Sequence, residues 1–230
     1  ECTVSAHREA GRALKPGMRE YQIAALMKYV MEREGCTITG FDPIVGAGPR
    51  STILHYLRGD GTVAEGDLVV LDVGSEYRDY SADITRTLPA SGKFTPRQRE
   101  IYQIVLGAQE AVLNAIRPGV SMYGAGASLH NIAREYLNSH GKDLKGNTLG
   151  RYFTHGIGHQ VGLDVHDVES RGDGLREGMI IAIEPGLYLP EEHIGVRIED
   201  NVLVTRDGGI LLSRDLPRTV EAIEEWLAEK

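Results

Sequence analysis

Cysteine is nearly absent: Cys2 and Cys36 are the only two in 230 residues. Two are too few for a disulfide framework, so free thiols in a reducing, cytoplasmic setting are the expectation. No apolar run approaches the roughly 18 residues that a membrane-spanning helix needs, so no membrane contact is expected. No signal peptide is visible. Positive charge is in deficit, with 25 Lys and Arg against 33 Asp and Glu and a net charge of -8. The plain reading is a solvated acidic surface, and no basic stripe is present for nucleic acid. The chain also lacks an initial Met. Glu1 leads straight into a helical pattern, as in a fragment of a longer protein or a naturally short form.

Glycine, by contrast, is plentiful. Its 28 residues follow no period, which excludes collagen and implies many tight turns. Apolar residues at 41% and charged residues at 25% are ordinary for a folded protein, so disorder is not expected. The length allows one large domain or two small ones.

Helical patterns open the chain. Val4 to Leu14 precedes a Lys-Pro-Gly stop, and Tyr21 to Glu34 carries Ile23, Leu26, Met27 and Val30 at helical spacing before Gly35. Leu68 to Val73 is an apolar run between Gly66 and Gly74 and reads as a buried strand, with Tyr80 to Leu88 as its hairpin partner. Helices are expected near Thr95–Ile116, Gly126–His140 and Val220–Glu229. Strands are expected at Met179–Glu184 and Gly195–Thr205, and the stretch from Leu149 to Gly162 is rich in glycine.

Two pieces of the sequence repeat. AHREAGRALKPG ends at Gly17 and AQEAVLNAIRPG ends at Gly119. EGDLVVLD ends at Asp72 and EGMIIAIE ends at Glu184. Each half then carries another acidic strand, with Asp83 in the first and Glu199 in the second. The expected architecture is α+β, built from two α-α-β-β halves facing each other across a pseudo-dyad.

Asp72 and Asp83 lie on apolar strands. A hairpin folded about Tyr77 and Arg78 would set them directly opposite each other, where like charges repel. Glu184 ends a second apolar run, before Pro185. Glu199 alternates with apolar residues in VRIE. Buried carboxylates are costly unless paired or bound to metal. Four of them meeting at a dyad call for two divalent cations. An oxygen-rich set with one added histidine suits manganese, with cobalt, iron or zinc as alternatives, better than it suits a structural zinc.

The histidine is sought in THGIGH. His155 and His159 have zincin spacing, but Gly156 and Gly158 oppose a helix and no Glu follows His155. His166 in GLDVHD and His55 in STILHY complete the candidates. A lone histidine is more often structural than catalytic; clustering among glycines, beside four carboxylates, favours function.

DLVVLDVG, YSADITRT, HGIGHQVGLDVHD, IEPGLY and VRIEDNVLVT, in this order, resemble the signature of the pita-bread metallopeptidases. That group holds aminopeptidase P, prolidase and methionine aminopeptidase. GLDVHD, IEPGLY and RIED are similar to the first two rather than to the third. The resemblance covers nearly the whole chain and implies a pita-bread fold over residues 1–230, with a curved antiparallel sheet and helices on its outer face. It implies two divalent ions, with Asp72 on one, Asp83 and Glu199 bridging both, and His159 and Glu184 completing the second. It places His55, His155, His166, Arg197 and Tyr188 near the substrate.

The implied reaction is hydrolysis of the bond between an N-terminal residue and proline. Glu184 would take a proton from water, and His166 with His55 would hydrogen-bond the oxyanion or leaving group. Partners would be peptides with proline second, and homo-oligomerisation is left open. Members of the group usually carry an N-terminal domain that is absent from this sequence, which leaves aminopeptidase preferred over dipeptidase. Competing readings are methionine aminopeptidase, a non-catalytic binding protein of the same fold, and creatinase-like hydrolysis without metal.

Overall fold

Helix α1 (Cys2–Ala13) and helix α2 (Glu20–Arg33) form the outer layer of the first half. Between them Leu14 leaves the helix at ψ 123°, and Gly17 turns the chain at φ 90°. The second half repeats this. Helix α3 (Pro96–Ala115) ends at Ile116 with ψ 122°, and Gly119 turns at φ 88° before helix α4 (Leu129–Ser139). The hydrogen bonds repeat too. Gly17 N donates to Val63 O at 2.9 Å and Gly119 N to Leu175 O at 2.8 Å, while Val63 N and Leu175 N donate back to Met18 O and Val120 O. These matched turns explain the repeated Pro-Gly, since a left-handed backbone favours glycine. The structure, a computed structural model, describes residues 1–168 and 174–229.

The strands of the first half are β1 (Ile38–Thr39), β2 (Ile44–Ala47), β3 (Leu68–Val73), β4 (Ser75–Tyr77), β5 (Tyr80–Ser81) and β6 (Ile84–Pro89). The antiparallel sheet β2-β3-β6 is its centre, and β1-β4-β5 is a smaller sheet beside it. The second half has β7 (Ile180–Ile183), β8 (Gly186–Leu189), β9 (Ile194–Arg197), β10 (Asp200–Thr205) and β11 (Gly208–Leu211), followed by helix α5 (Val220–Ala228). Strands β7 and β10 match β3 and β6, β11 adds a further strand beyond β10, and β8 pairs with β9. The segment 157–161 lies along β7 through Glu184 N to Ile157 O and Ala182 N to His159 O. It occupies the place that β2 holds in the first half. The halves meet where Thr85 and Glu199 bridge.

Three expectations are corrected. The hairpin turns about Arg78 and Asp79, both at positive φ (52° and 67°), and not about Tyr77 and Arg78. The primed turn shifts the partner by two residues, so Asp72 faces Thr85 and Asp83 lies diagonally on the same face. The expected strand 195–205 is interrupted at Ile198–Glu199: β9 pairs with β8, while β10 passes to β7 and β11. Finally, Cys2 and Cys36 form a disulfide that ties the start of α1 to the segment after α2. The expectation of free thiols is therefore not met.

Local signals account for the helix starts. Thr95 caps α3 by accepting from Gln98 N, and the Gln98 side chain accepts from Thr95 N, with Pro96 in the first turn. Helix α4 begins at Leu129 rather than Gly126 because Ser128 is the cap, accepting from Asn131 N. The core runs through both halves, from Ile23, Met27 and Leu71 to Ile181, Ile183 and Val202.

Candidate metal centre

Strand β3 delivers Asp72, the residue just before β6 is Asp83, the residue just after β7 is Glu184, and the break between β9 and β10 delivers Glu199. Asp72, Asp83 and Glu199 are buried, and Glu184 is nearly so. Their oxygens converge. Ligand atoms of Asp72, Asp83 and Glu199 lie within 4.8 Å of one another, as do those of His159, Glu184 and Glu199. The two sets share Glu199. Asp83, His159 and His166 form a third set under the same limit.

His159 Nδ1 donates to Gln160 O at 3.1 Å. That bond fixes the tautomer and leaves the Nε2 lone pair for a cation. Nε2 lies 3.4 Å from Asp83 Oδ2 and 3.9 Å from both Glu184 Oε1 and Glu199 Oε1. Gly158, just before His159, sits against β7; a Cβ there would lie 1.8 Å from Ala182 O.

Charge explains what the site needs. Asp72 Oδ1, Asp83 Oδ1 and Glu199 Oε1 are buried and have no hydrogen-bond partner. Burial raises the pKa of Asp83 well above the ordinary carboxylate value, with Glu199 and Asp72 adding repulsion. Burial, then Glu199, does the same to Glu184. Glu199 is raised to about 7 by burial and by Asp72. Arg197 is the buried cation of the cluster, with Nη2 2.5 Å from Asp72 Oδ2. One guanidinium does not neutralise four carboxylates. Orphaned anionic oxygens, mutually close and aimed together, are what a pair of divalent cations would satisfy. The residues present fit such a pair.

Arg197 Nη1 donates to Tyr188 OH at 2.9 Å, and Tyr188 OH donates to His155 Nε2 at 2.9 Å. His155 Nδ1 donates to Gly156 O at 2.8 Å. Both nitrogens of His155 are thus engaged within the protein. Burial, then Arg197, lowers its pKa to about 3, and it stays neutral. The ring of His166 lies 4.2 Å from that of His159, edge to face. Burial, then His159, lowers its pKa. His55 is exposed at the rim.

All of these site residues except Tyr188, which is buried behind Arg197 and His155, line a cavity of about 710 Å3. Phe41, Ile44, Leu54, Leu57 and Val165 form its apolar wall, which sequence reasoning did not locate. They lie in loops and on a short strand, where no periodicity marks them. Tyr123 was also missed; its hydroxyl donates to Gly158 O and holds the turn before His159.

The model of metallopeptidase family M24 matches residues 1–206. The chain is 38% identical to the Xaa-Pro aminopeptidase of Escherichia coli strain K12, over 97% of this chain and 55% of that one. It is 42% identical to the Xaa-Pro dipeptidase of Pyrococcus furiosus, over 86% of this chain and 54% of that one. Among solved structures, Escherichia coli aminopeptidase P in complex with substrate superposes with a TM-score of 0.88 at 36% identity, covering 99% of this chain and 56% of that one. Proline aminopeptidase P II from Yersinia pestis gives 0.87 at 34%, covering 100% and 57%. The chain therefore spans little more than half the length of these relatives. Duplicated halves, a carboxylate cluster at their seam and the same pita-bread fold as aminopeptidase P all agree with the match, and the chain belongs to metallopeptidase family M24.

Proposed function

We propose that this chain is the catalytic part of a dinuclear-metal exopeptidase that cleaves between an N-terminal residue and proline. The observation that carries the proposal is the group of orphaned, buried carboxylate oxygens of Asp72, Asp83 and Glu199 beside His159 and Glu184, at the floor of an open cavity. Relatives with Xaa-Pro names support the substrate class. Asp72, Asp83, His159, Glu184 and Glu199 would hold the ions. The hard, oxygen-rich donors favour manganese, with cobalt, iron or zinc as alternatives.

When bound, two divalent ions supply a water of lowered pKa and polarise a carbonyl. The protein supplies the rest. Glu184, with its raised pKa and partial exposure, is suited to accept a proton and return it to the leaving amine. His166 and His55 stand on the cavity wall and would hydrogen-bond the developing oxyanion or the leaving group. Arg197 and Tyr188 act behind the carboxylates, and His155 acts by holding Tyr188. The apolar wall offers contact to a proline ring and to the first side chain.

Aminopeptidase is preferred over dipeptidase because the solved structures that superpose on 99–100% of this chain are those of aminopeptidases P. No described helix is long and apolar enough to cross a membrane. The cytoplasmic expectation competes with the Cys2–Cys36 disulfide, which favours an oxidising compartment. Thiol labelling of protein extracted under alkylating conditions decides between them, and two free thiols would keep the cytoplasmic reading.

The test is elemental analysis joined to a peptide assay. Two divalent ions per chain and cleavage of an Xaa-Pro-Xaa tripeptide are expected. Preference for a Met-Ala peptide, or cleavage of Xaa-Pro dipeptides alone, would overturn the substrate assignment. Asp83→Asn should bind fewer than two ions and lose hydrolysis with an unchanged circular dichroism spectrum. Wild-type turnover in that variant would remove Asp83 from the ligand set.

A further inference from the structure

Thr85 belongs to no metal-ligand set, yet it sits at the seam between the halves. It is fully buried on β6, directly opposite Asp72 on β3. It also bridges to Glu199: Glu199 N donates to Thr85 O at 3.1 Å, and Thr85 Oγ1 donates to Glu199 Oε2 at 2.6 Å. The same hydroxyl accepts from Arg197 Nε at 3.2 Å. Arg197 Nη2 in turn grips Asp72 Oδ2. The four side chains form a continuous chain: Asp72, Arg197, Thr85, Glu199.

The direction of every bond in this chain is fixed. A guanidinium can only donate, so Thr85 must accept from Arg197 and give its one proton to Glu199. Glu199 Oε2 is thereby engaged, while Oε1 is left buried and without a partner, 3.9 Å from His159 Nε2. Packing alone does not call for a hydroxyl here. Valine has nearly the same shape, suits a strand, and avoids the cost of burying a polar group. The pseudo-dyad sharpens the point. Asp72 faces Thr85 in the first half, and continuing the β7–β10 register one step past the Ile183–Asp200 pair brings Glu184 and Glu199 opposite each other. One half carries a carboxylate where the other carries a donor aimed at that carboxylate.

We propose that Thr85 is a positioning residue of the metal centre: its hydroxyl orients the Glu199 carboxylate toward the ions and couples it, through Arg197, to Asp72. The inference rests on the two-ion reading above, and the experiment separates the two. Chelator-stripped wild type, Thr85→Val, Thr85→Ala and Thr85→Ser are titrated with Mn2+ by calorimetry, and their Co2+ forms are compared by visible absorption.

Wild type should take up two ions. Thr85→Val should lose about 10- to 100-fold in affinity for at least one ion, the range typical when a group supporting a ligand is removed. Its Co2+ spectrum should change, and Thr85→Ser should restore both affinity and spectrum. Thr85→Ala should show the same loss, and it replaces Thr85→Val should that variant not fold. Two ions bound by wild type with an unchanged isotherm in the variant lacking the hydroxyl would overturn the role of Thr85 alone. Equal impairment of Thr85→Ser would also overturn it, by pointing to shape. Failure of wild type to bind divalent ions would overturn the metal reading and this inference with it.

Discussion

Asp83, Glu184 and Glu199 are acids whose burial and mutual repulsion raise their pKa in the folded state. An acid raised on folding stabilises the fold below its unfolded pKa, and that contribution is lost as pH climbs through the folded value. For Glu199 the window runs from 4.5 to about 7. Buried His7 and His155, held neutral, push the other way over the same range, so the carboxylate effect is read by difference. Metal-free wild type should lose thermal stability relative to Glu199→Gln as pH rises across this window, and saturating divalent ion should narrow that gap. Melting curves with and without chelator measure it. A wild type that keeps pace with Glu199→Gln across the range would show that these carboxylates are not strained by one another. The four acidic positions were legible because a carboxylate at the end of a buried strand is chemically out of place. Thr85 was not, since a threonine in a strand is unremarkable and only the observed contacts reveal its partners. The diagonal placement of Asp83 was missed because Arg78 and Asp79 form a primed turn without the glycine that usually announces one.

The segment 157–161 presents His159 because it runs extended along β7, and Gly158 makes that approach feasible. Gly158→Ala would force a Cβ toward Ala182 O and push the segment away. The expected result is a lower melting temperature and loss of ion binding, read by calorimetry; retention of two ions would mean that the segment tolerates displacement. The disulfide acts on another element. It closes a loop with a sequence separation of 34 and fastens α1 to the far side of α2. Loop entropy for that span gives about 4 kcal/mol as an upper figure, so Cys2→Ser with Cys36→Ser should lose about 2–4 kcal/mol in denaturant titration. A loss below about 0.5 kcal/mol would mean that the packing of α1 on α2 suffices without the bond. Helices and central strands were readable from apolar periodicity and Pro-Gly stops, within a few residues at their ends. The pairing of Cys2 with Cys36 was not, because two cysteines declare no spacing rule and only the packing of α1 against α2 brings them together.

Across the whole molecule, the halves are joined behind the carboxylates by Arg86. It is fully buried, donates to Thr85 O, Glu199 O and Pro217 O, and pairs with Asp200 Oδ1 at 2.6 Å. Asp200 also accepts from Ser213 and Gln109. Removing one partner of a buried pair leaves the other uncompensated, so Arg86→Met should cost roughly 3–5 kcal/mol in denaturant titration. Pairing it with Asp200→Asn should recover part of that, and additive losses would show that the two residues act independently. The pseudo-dyad itself was visible in the repeated Pro-Gly and Glu-Gly stretches, because each marks the same left-handed turn. What the repeat could not convey is how the halves interlock, which depends on contacts between residues more than 100 positions apart, such as Arg86 with Asp200.

Ownership of the ligands is divided: Asp72 and Asp83 come from one half, and His159, Glu184 and Glu199 from the other. On the two-ion reading, neither α-α-β-β half commands a complete set of donors. A centre assembled that way would exist only while the two halves stay docked, so whatever loosens their seam would also release the ions.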